Sequence, residues 1–548
     1  MLFPINLKIN KGNIETIIQY FLLIIILIQA IIVRYFDLLA FYPYVVKYDE
    51  YVIINPVIDV LKTGNFAIMS NSQNPYPYFY YGFFLYVIEI ITGIVWFIIA
   101  ALLGIIKSVS ELNYSEVHFY VTPPSLCIGL RIPILIMGVF NVFLVYKFCE
   151  KFLKNRWIGI FASFILISSM THVMQSVKVL PNIPVTLFIF ISIYYCFLVL
   201  EKGDTSKRSD FFNLGFITSA AIYFKINNIF IILSIIFFML FFIRKLWAYK
   251  YLLYGFIIGG LIFMPFYLNL VRFLNEVCKI FNAFNINNLS YLQNLKQLMT
   301  NFFFNNSGLN KFSSWLAFIG IIFFIIKYKR KGFIFAIFPV SFILYMNTKV
   351  IFGRNYLSTL PFLSVIAGAF AYWLCTIPEI YFKENKYAKL SKYLIIIFFI
   401  SIFSSSAYKT YKYFYDFSYK REESRITAAK WMEKNINKNS KVFIAQELQM
   451  WPDVIKHFPF KVKEDFIYKY IDNKAYFKNN FDYVITSNKY NYQYLIKYHK
   501  LGDKDIGNKV NDMFQGFPIF YNHECWEVVP VTPFFMPSII IYDMNKKL

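Results

Sequence analysis

The chain has 548 residues, of which 58% are hydrophobic and only 16% are charged. A soluble domain usually carries about 25% charged residues, so this composition excludes an ordinary soluble protein and is typical of membrane proteins. The formal net charge of +24 then indicates cytoplasmic anchoring loops and a basic outer surface, and we expect no nucleic-acid partner.

Eleven apolar runs are candidates for membrane-spanning helices, which need about 20 mostly apolar residues. The first run, residues 13–33, has no small-residue cleavage site, so we expect it to be retained as a span. The others lie at 128–148, 157–175, 183–200, 211–224, 226–243, 249–270, 312–326, 332–346, 357–377 and 391–410. The sequence therefore predicts a polytopic α-helical membrane protein with about 11 spans plus juxtamembrane helices.

Whether the apolar helix predicted over 83–106 crosses the membrane decides on which side all later loops lie. The loops themselves give a test, because short cytoplasmic loops carry an excess of Lys and Arg. If the N-terminus is cytoplasmic and 83–106 does not cross, the basic loops all fall in the cytoplasm. These loops lie at 147–156, 202–208, 244–250, 327–331 and 383–392. We therefore expect 83–106 to be re-entrant or interfacial. The segments then expected outside are 34–127, 177–182, 272–311 and everything after 411.

The composition changes to a water-soluble pattern after about residue 411. Residues 425–436 have the apolar spacing of a helix, and 441–446, 481–486 and 538–544 have the pattern of short buried strands. We therefore predict two domains: a transmembrane domain over 1–410 and a small extracytoplasmic α/β domain over 411–548.

Charged residues at the predicted outer ends of the spans are candidate functional residues, because burying a charge in a membrane is costly. The adjacent carboxylates Asp49 and Glu50 are the first candidates. The basic candidates are Arg131, Lys178, Lys225 and Arg354. For any one of them the alternative is an interfacial charge that reaches the lipid headgroups, and for Arg131 both interpretations stay open. Carboxylates have short stems, so this alternative is weaker for Asp49 and Glu50.

Motifs for other chemistry are missing from the sequence. No P-loop, G-x-G-x-x-G, H-E-x-x-H, G-x-S-x-G or D-x-D motif occurs in a suitable context, which argues against a nucleotide-sugar site and an ATP-driven pump.

The six cysteines are scattered and predict neither a disulfide framework nor a zinc site, so we assign no metal ligand. His172 is interpreted as a packed residue. The Tyr-rich stretch 75–86 could by itself be an aromatic belt at headgroup level.

The order of several short motifs resembles the polyprenyl-phosphate-dependent membrane glycosyltransferases of the GT-C type. The most similar members are in glycosyltransferase family 39 and among the protein O-mannosyltransferase-like proteins. The motifs are 48-YDE-50, 57-VIDVLKTGNF-66, 77-PYFYYGFFLY-86, 131-RIPILIMGVFNVFLVYKFCEKFLKNRWIG-159, 176-SVKVLPNIPVTLF-188, 215-GFITSAAIYFKIN-227 and 354-RNYLSTLPFL-363. Two stretches of the tail, 424-SRITAAKWMEKNI-436 and 481-FDYVITS-487, are also similar to outer domains of such bacterial proteins.

The resemblance implies a sugar transfer with inversion on the outer face of a membrane, expected to be the bacterial plasma membrane. Asp49 would be the catalytic base that deprotonates an acceptor hydroxyl, with Glu50 beside it. Cations would stabilise the polyprenyl-phosphate leaving group. In order of preference these are Arg354, Lys225, and then Lys178 or Arg131, while Tyr80 and Asn182 are further substrate-binding candidates. The acceptor would be a lipid, a glycan or a protein.

One position departs from the family pattern. Relatives often carry an Asp where this chain has Asn182, and an amide can bind a hydroxyl but cannot act as a base. The donor, the need for a divalent cation and the activity therefore stay open, as do two other readings. One is a transporter or flippase of lipid-linked sugars, although the inverted repeats typical of transporters are not evident. The other is a non-catalytic relative.

Overall fold

A computed structural model describes most of the chain in two compact units. The described residues are 11–39, 48–65, 83–115, 120–263, 296, 300, 308–346, 353–382, 386–416, 424–448, 450, 455, 458–470, 473–487, 506–515, 517–523 and 539–545. The larger unit comprises Met1–Leu38, Val52–Ile98 and Ile128–Tyr415, and the smaller unit comprises Leu39–Tyr51, Ile99–Cys127 and Asp416–Leu548. The predicted domain boundary at 410/411 stays a prediction.

Helices dominate the first 415 residues. In chain order they are α1 Lys11–Leu39, α2 Tyr48–Thr63, α3 Phe83–Leu102, α4 Ser125–Phe152, α5 Arg156–Ile167, α6 Met170–Gln175, α7 Asn182–Lys202, α8 Arg208–Phe224, α9 Ile231–Phe242, α10 Leu246–Phe263, α11 Lys311–Met346, α12 Leu360–Tyr381 and α13 Lys386–Tyr415. Short 3₁₀ turns occur at Val109–Glu111, Gly203–Thr205, Ile226–Phe230 and Gly353–Thr359. Each predicted span falls on one or two of these elements, except that residues 264–270 of the span 249–270 lie outside the described residues.

Two predicted spans, 312–326 and 332–346, lie on the single element α11, where Lys329 (φ 50°) breaks the helical geometry between them. Among the described residues, seven helices are long and apolar enough to cross a membrane, and three shorter apolar helices accompany them. The predicted polytopic helical fold is therefore confirmed. Phe84–Leu102 is one of the seven, so the re-entrant placement of this helix stays a prediction.

Aromatic side chains form part of the interior of the larger unit. Phe335 of α11 lies 4.8 Å from Phe148 of α4 and 5.0 Å from Phe362 of α12, measured between ring centroids. Phe190 of α7 lies 5.2 Å from Phe362. Four helices therefore meet at one cluster of tilted and edge-to-face rings, a geometry that adds to the free energy of burial.

Helices α8 and α10 approach closely because their facing positions carry small residues. A Cβ atom at Gly215 of α8 would overlap the carbonyl oxygen of Leu252, and one at Gly255 of α10 would overlap the carbonyl oxygen of Phe212. Gly259 follows Gly255 by four residues and so lies on the same face of α10. Small residues at this spacing allow helix backbones to pack against each other in a membrane.

The smaller unit contains the predicted α/β fold. Its helices are α14 Ser424–Asn435, α15 Lys474–Asn480 and α16 Ile506–Met513, with 3₁₀ turns at Gln446–Leu448 and Ile467–Tyr470. The strands are β1 Asn113–Ser115, β2 Tyr120–Thr122, β3 Lys441–Ala445, β4 Lys461–Asp465, β5 Tyr483–Thr486, β6 Ile519–His523 and β7 Ile539–Asp543. β1 and β2 form an antiparallel pair, and the other five form one sheet in the order β4-β3-β5-β7-β6.

The five-stranded sheet is mixed. β3 pairs in parallel with β4 and β5, whereas β7 pairs antiparallel with β5 and β6. The three predicted strands correspond to β3, β5 and β7. The strand β4 was not predicted, because the edge strand KVKED is short and charged. The strand β6 was not predicted either.

Candidate functional site

Three helix ends meet at a chain of side-chain hydrogen bonds in the larger unit. Lys225 directly follows α8, and its Nζ donates to Oδ1 of Asn182 at 3.0 Å. Asn182 is the first residue of α7, and its Nδ2 donates to Oε1 of Gln175 at 2.8 Å. Gln175 is the last residue of α6. The structure therefore joins two predicted binding residues, Asn182 and Lys225, and adds a third residue that the sequence analysis missed.

The site lies in the interior of the bundle. Asn182 and Gln175 are 5% and 2% exposed, and Lys225 is half-buried. Thr186 Oγ1 donates to the carbonyl oxygen of Asn182 at 2.6 Å, which is a local bond within the first turn of α7. Buried polar groups are retained where hydrogen bonds satisfy them. These hydrogen bonds therefore hold the ends of α6, α7 and α8 together in the interior of the bundle.

Three other predicted site residues are buried. Lys178, in the connection between α6 and α7, is 1% exposed, and Arg131 of α4 is 2% exposed. An interfacial charge that reaches the headgroups would keep its tip accessible. The burial of Arg131 therefore favours a role inside the protein. Glu50, on α2, is completely buried.

Two predicted residues are only partly covered by the structure, and a third is not covered. Asp49 lies on the first turn of α2, and Arg354 lies in the 3₁₀ turn Gly353–Thr359, but both side chains fall outside the described part of the chain. Tyr80 lies outside the described residues altogether. Their assigned roles stay predictions.

A second polar cluster connects α1, α4 and α6. Arg34 Nη2 and His172 Nδ1 are 2.8 Å apart, and Arg34 Nη1 donates to the carbonyl oxygen of Ala30 at 2.8 Å. Because a guanidinium only donates, His172 Nδ1 accepts and Nε2 carries the ring proton. Asn141 Nδ2 lies 3.5 Å from Nε2, so a protonated Nε2 donates to Asn141 only when the amide is turned to present Oδ1. Arg34, His172 and Asn141 are completely buried. The interpretation of His172 as a packed residue agrees with this burial, but the sequence analysis missed its bond to Arg34.

A divalent cation does not fit the Asn182 position. The Asn182 side-chain oxygen is already bound by the ammonium group of Lys225, and an amide oxygen is a weaker ligand for hard cations than a carboxylate. Among the described residues, no group of three or more His, Cys, Asp or Glu side chains is placed to hold a metal ion. No chemical step at this position is therefore assigned to a metal.

Comparison with known proteins gives a family match for part of the chain and a similar fold for nearly all of it. Residues 126–268 match the family model of dolichyl-phosphate-mannose-protein mannosyltransferases, and this segment includes Gln175, Asn182 and Lys225. The fold is similar to the crystal structure of ArnT from Cupriavidus metallidurans in the apo state, with a TM-score of 0.51 and 10% identity over 97% of this chain and 98% of that chain. The chain has the GT-C glycosyltransferase fold. The predicted resemblance is confirmed.

Two further solved structures are also similar to this chain. ArnT from C. metallidurans bound to undecaprenyl phosphate has a TM-score of 0.49 and 11% identity, covering 95% of this chain and 97% of that chain. The oligosaccharyltransferase of Archaeoglobus fulgidus, tethered to an acceptor peptide with the NVT sequon, has a TM-score of 0.46 and 12% identity, covering 92% and 73%. No curated protein sequence matches the chain significantly.

Proposed function

We propose that this protein is an integral membrane glycosyltransferase that moves a sugar from a polyprenyl-phosphate donor to an acceptor hydroxyl on the outer face of the membrane. The N-terminus would be cytoplasmic and the C-terminal domain extracytoplasmic, in a bacterial plasma membrane. The observation that carries the proposal is the Lys225–Asn182 hydrogen bond of 3.0 Å. It places a cation and a neutral polar group together inside a segment that matches a family acting on dolichyl-phosphate mannose.

The donor chemistry explains why basic residues are needed. When the bond between sugar and phosphate breaks, negative charge grows on the polyprenyl phosphate, and fixed cations in a water-poor site stabilise that charge. Lys225 is positioned by Asn182 for this role. Arg354 is the other principal candidate, because its guanidinium can bind two phosphate oxygens at once. Lys178 and Arg131 would add positive charge from the interior, and Tyr80 would contact the substrate.

The acceptor chemistry requires a base. A hydroxyl is a poor nucleophile, so a carboxylate within hydrogen-bond reach must take its proton as it attacks the anomeric carbon. We assign this role to Asp49, on the first turn of α2, and a supporting role to the buried Glu50. A single displacement of this kind inverts the anomeric configuration. The acceptor itself would be a lipid, a glycan or a protein.

The experiment is sugar transfer by the purified full-length protein, offered a panel of polyprenyl-phosphate sugars. Asp49→Asn keeps the shape of the side chain but removes the base, so we expect transfer to fall about 100-fold or more. Asp59→Asn is the matched control, because Asp59 is a half-buried carboxylate on the same helix. It should retain transfer, and both variants should purify like the wild type.

Two outcomes would contradict the proposal. Full transfer by Asp49→Asn would remove Asp49 from the role of general base. Movement of the intact lipid-linked sugar across the membrane of vesicles, without transfer to any acceptor, would instead favour the flippase alternative. A protein that binds the donor but neither transfers nor moves it would be the non-catalytic relative.

A further inference from the structure

We infer that Asn182 is a positioning residue that fixes the ammonium group of Lys225 without adding a negative charge, and so sets the affinity of the site for the phosphate of the donor. Gln175 supports it from the end of α6. This inference rests on the proposed function, because it assigns the Lys225 ammonium to a lipid phosphate. At residue 182 the chain has an amide, where an acidic side chain would make the same contact with Lys225.

The hydrogen bonds define the orientation of the Asn182 amide. An ammonium group can only donate, so the atom that faces Lys225 must be the oxygen, Oδ1, at 3.0 Å. The amide nitrogen then faces Gln175 and donates to Oε1 at 2.8 Å. A half-turn of the amide would break both bonds at once. The two neighbours therefore hold Asn182, and Asn182 holds the ammonium.

The charge of the site depends on whether residue 182 is Asn or Asp. An Asp at residue 182 has nearly the same shape as Asn and would still accept from Lys225, but it would make the site more negative by one unit. A carboxylate also cannot donate to Gln175, so Gln175 would have to turn its own amide to keep a bond. Like charges a few ångströms apart at low effective dielectric repel strongly. A phosphate bound beside Lys225 would meet this repulsion.

The test compares two lipids that differ only in the phosphate. Binding of undecaprenyl phosphate and of undecaprenol to the full-length, detergent-solubilised protein can be measured by native mass spectrometry. For Asn182→Asp we expect the affinity for undecaprenyl phosphate to fall about tenfold or more, whereas the affinity for undecaprenol changes less than about twofold. A damaged fold would weaken both lipids alike.

Two further variants separate charge from orientation. Asn182→Leu has a similar size and no charge but cannot accept from Lys225, so it should lose part of the phosphate affinity, and less than Asn182→Asp. Gln175→Glu places a carboxylate next to Asn182 rather than next to Lys225, and should give a smaller loss of phosphate affinity than Asn182→Asp. If Asn182→Asp keeps wild-type affinity for undecaprenyl phosphate, or if Asn182→Leu either keeps wild-type affinity or loses as much as Asn182→Asp, the inference is wrong.

Transfer activity measured in parallel separates this inference from the proposed function. A wild type that transfers sugar and prefers undecaprenyl phosphate, together with an unchanged preference in Asn182→Asp, would overturn only the role of Asn182. A wild type that neither transfers sugar nor distinguishes the two lipids would overturn the proposed function and this inference together.

Discussion

Arg34 and His172 are joined by a 2.8 Å hydrogen bond that ties α1 to α6 inside the larger unit. Both side chains are completely buried. Ser176 Oγ donates to the carbonyl oxygen of His172 at 2.6 Å, which secures the end of α6. His172 lies three residues before Gln175 on the same short helix. The bond thus anchors the helix that carries one end of the Gln175–Asn182–Lys225 chain.

We expect the two partners to be energetically coupled. In Arg34→Met the buried His172 Nδ1 loses its donor, and in His172→Leu the buried guanidinium loses an acceptor. Each loss should cost about 1–3 kcal/mol. The double variant leaves neither group unsatisfied in this bond, so it should be less destabilised than the sum of the single variants.

A thiol-reactive dye can follow the thermal unfolding of these variants, because Cys127, Cys149, Cys196 and Cys375 are buried and should become reactive on unfolding. Cys278 and Cys525 lie outside the described residues, so the dye signal of the wild type before unfolding is the baseline. Tyr35→Phe is the control, since Tyr35 is an exposed neighbour on α1, and it should leave the unfolding temperature unchanged. Strictly additive shifts in unfolding temperature would show that Arg34 and His172 do not stabilise each other.

The contact between α8 and α10 predicts a difference between two glycines on one helix. Gly255→Ala would place a methyl group against the backbone carbonyl of Phe212, so the two helices must separate. Gly259→Ala would meet the side-chain oxygen of Ser219 at 2.7 Å, and a side chain can move aside. We expect Gly255→Ala to lower the unfolding temperature in detergent clearly more than Gly259→Ala. Equal shifts would mean that the helices do not pack backbone to backbone at Gly255.

Two neighbouring carboxylates of β4 predict opposite pH dependences for the smaller unit. Burial raises the pKa of Glu464 to about 7. Burial alone would also raise the pKa of Asp465, but hydrogen bonds from Lys469 and Tyr470 outweigh this effect and hold that pKa below its ordinary value. Folded Glu464 keeps a proton that the unfolded chain has released. Its contribution to stability therefore falls as the pH rises from about 4.5 to about 7.

Glu464→Gln should remove this loss and make β4 more stable than in the wild type at pH 8. Asp465→Asn should do the reverse at pH 8, because the ionised Asp465 contributes stability that is lost only as the pH falls through its lowered pKa. Hydrogen exchange of peptides that cover β3 to β5, measured in the full-length protein at pH 5 and pH 8, checks both. An unchanged pH dependence in Glu464→Gln would contradict the assignment.

The predicted orientation can be checked at two exposed positions. Asn435 lies at the end of α14 in the smaller unit, and Asp204 lies in the turn between α7 and α8. A membrane-impermeant maleimide should label Asn435→Cys in intact cells, but Asp204→Cys only after the membrane is opened. The wild type gives the background from native cysteines. Labelling of Asp204→Cys in intact cells would show that the predicted topology is wrong.

Several features were predictable because they depend on local composition. Apolar runs of near-membrane length identified the helices, since a bilayer offers no partner for an unpaired backbone group. Alternating and continuous apolar stretches identified β3, β5 and β7. The strand β4 was not predicted, because Lys461, Lys463 and Glu464 interrupt its apolar pattern. Its place in the sheet comes from pairing with β3, which lies elsewhere in the chain.

The candidate site was only partly predictable. Residue type and position at the end of a span were enough to select Lys225, because charged groups are costly in a membrane, whereas Asn182 was selected through the resemblance to the family. Gln175 and Arg34 were not selected, since nothing in the local sequence shows which residue on another helix they meet. The sequence by itself thus determined a polytopic GT-C-like chain with a small α/β domain. Only the tertiary structure decided that Gln175, Asn182 and Lys225 form one chain of hydrogen bonds, because they belong to three helices whose ends meet only when the bundle is packed.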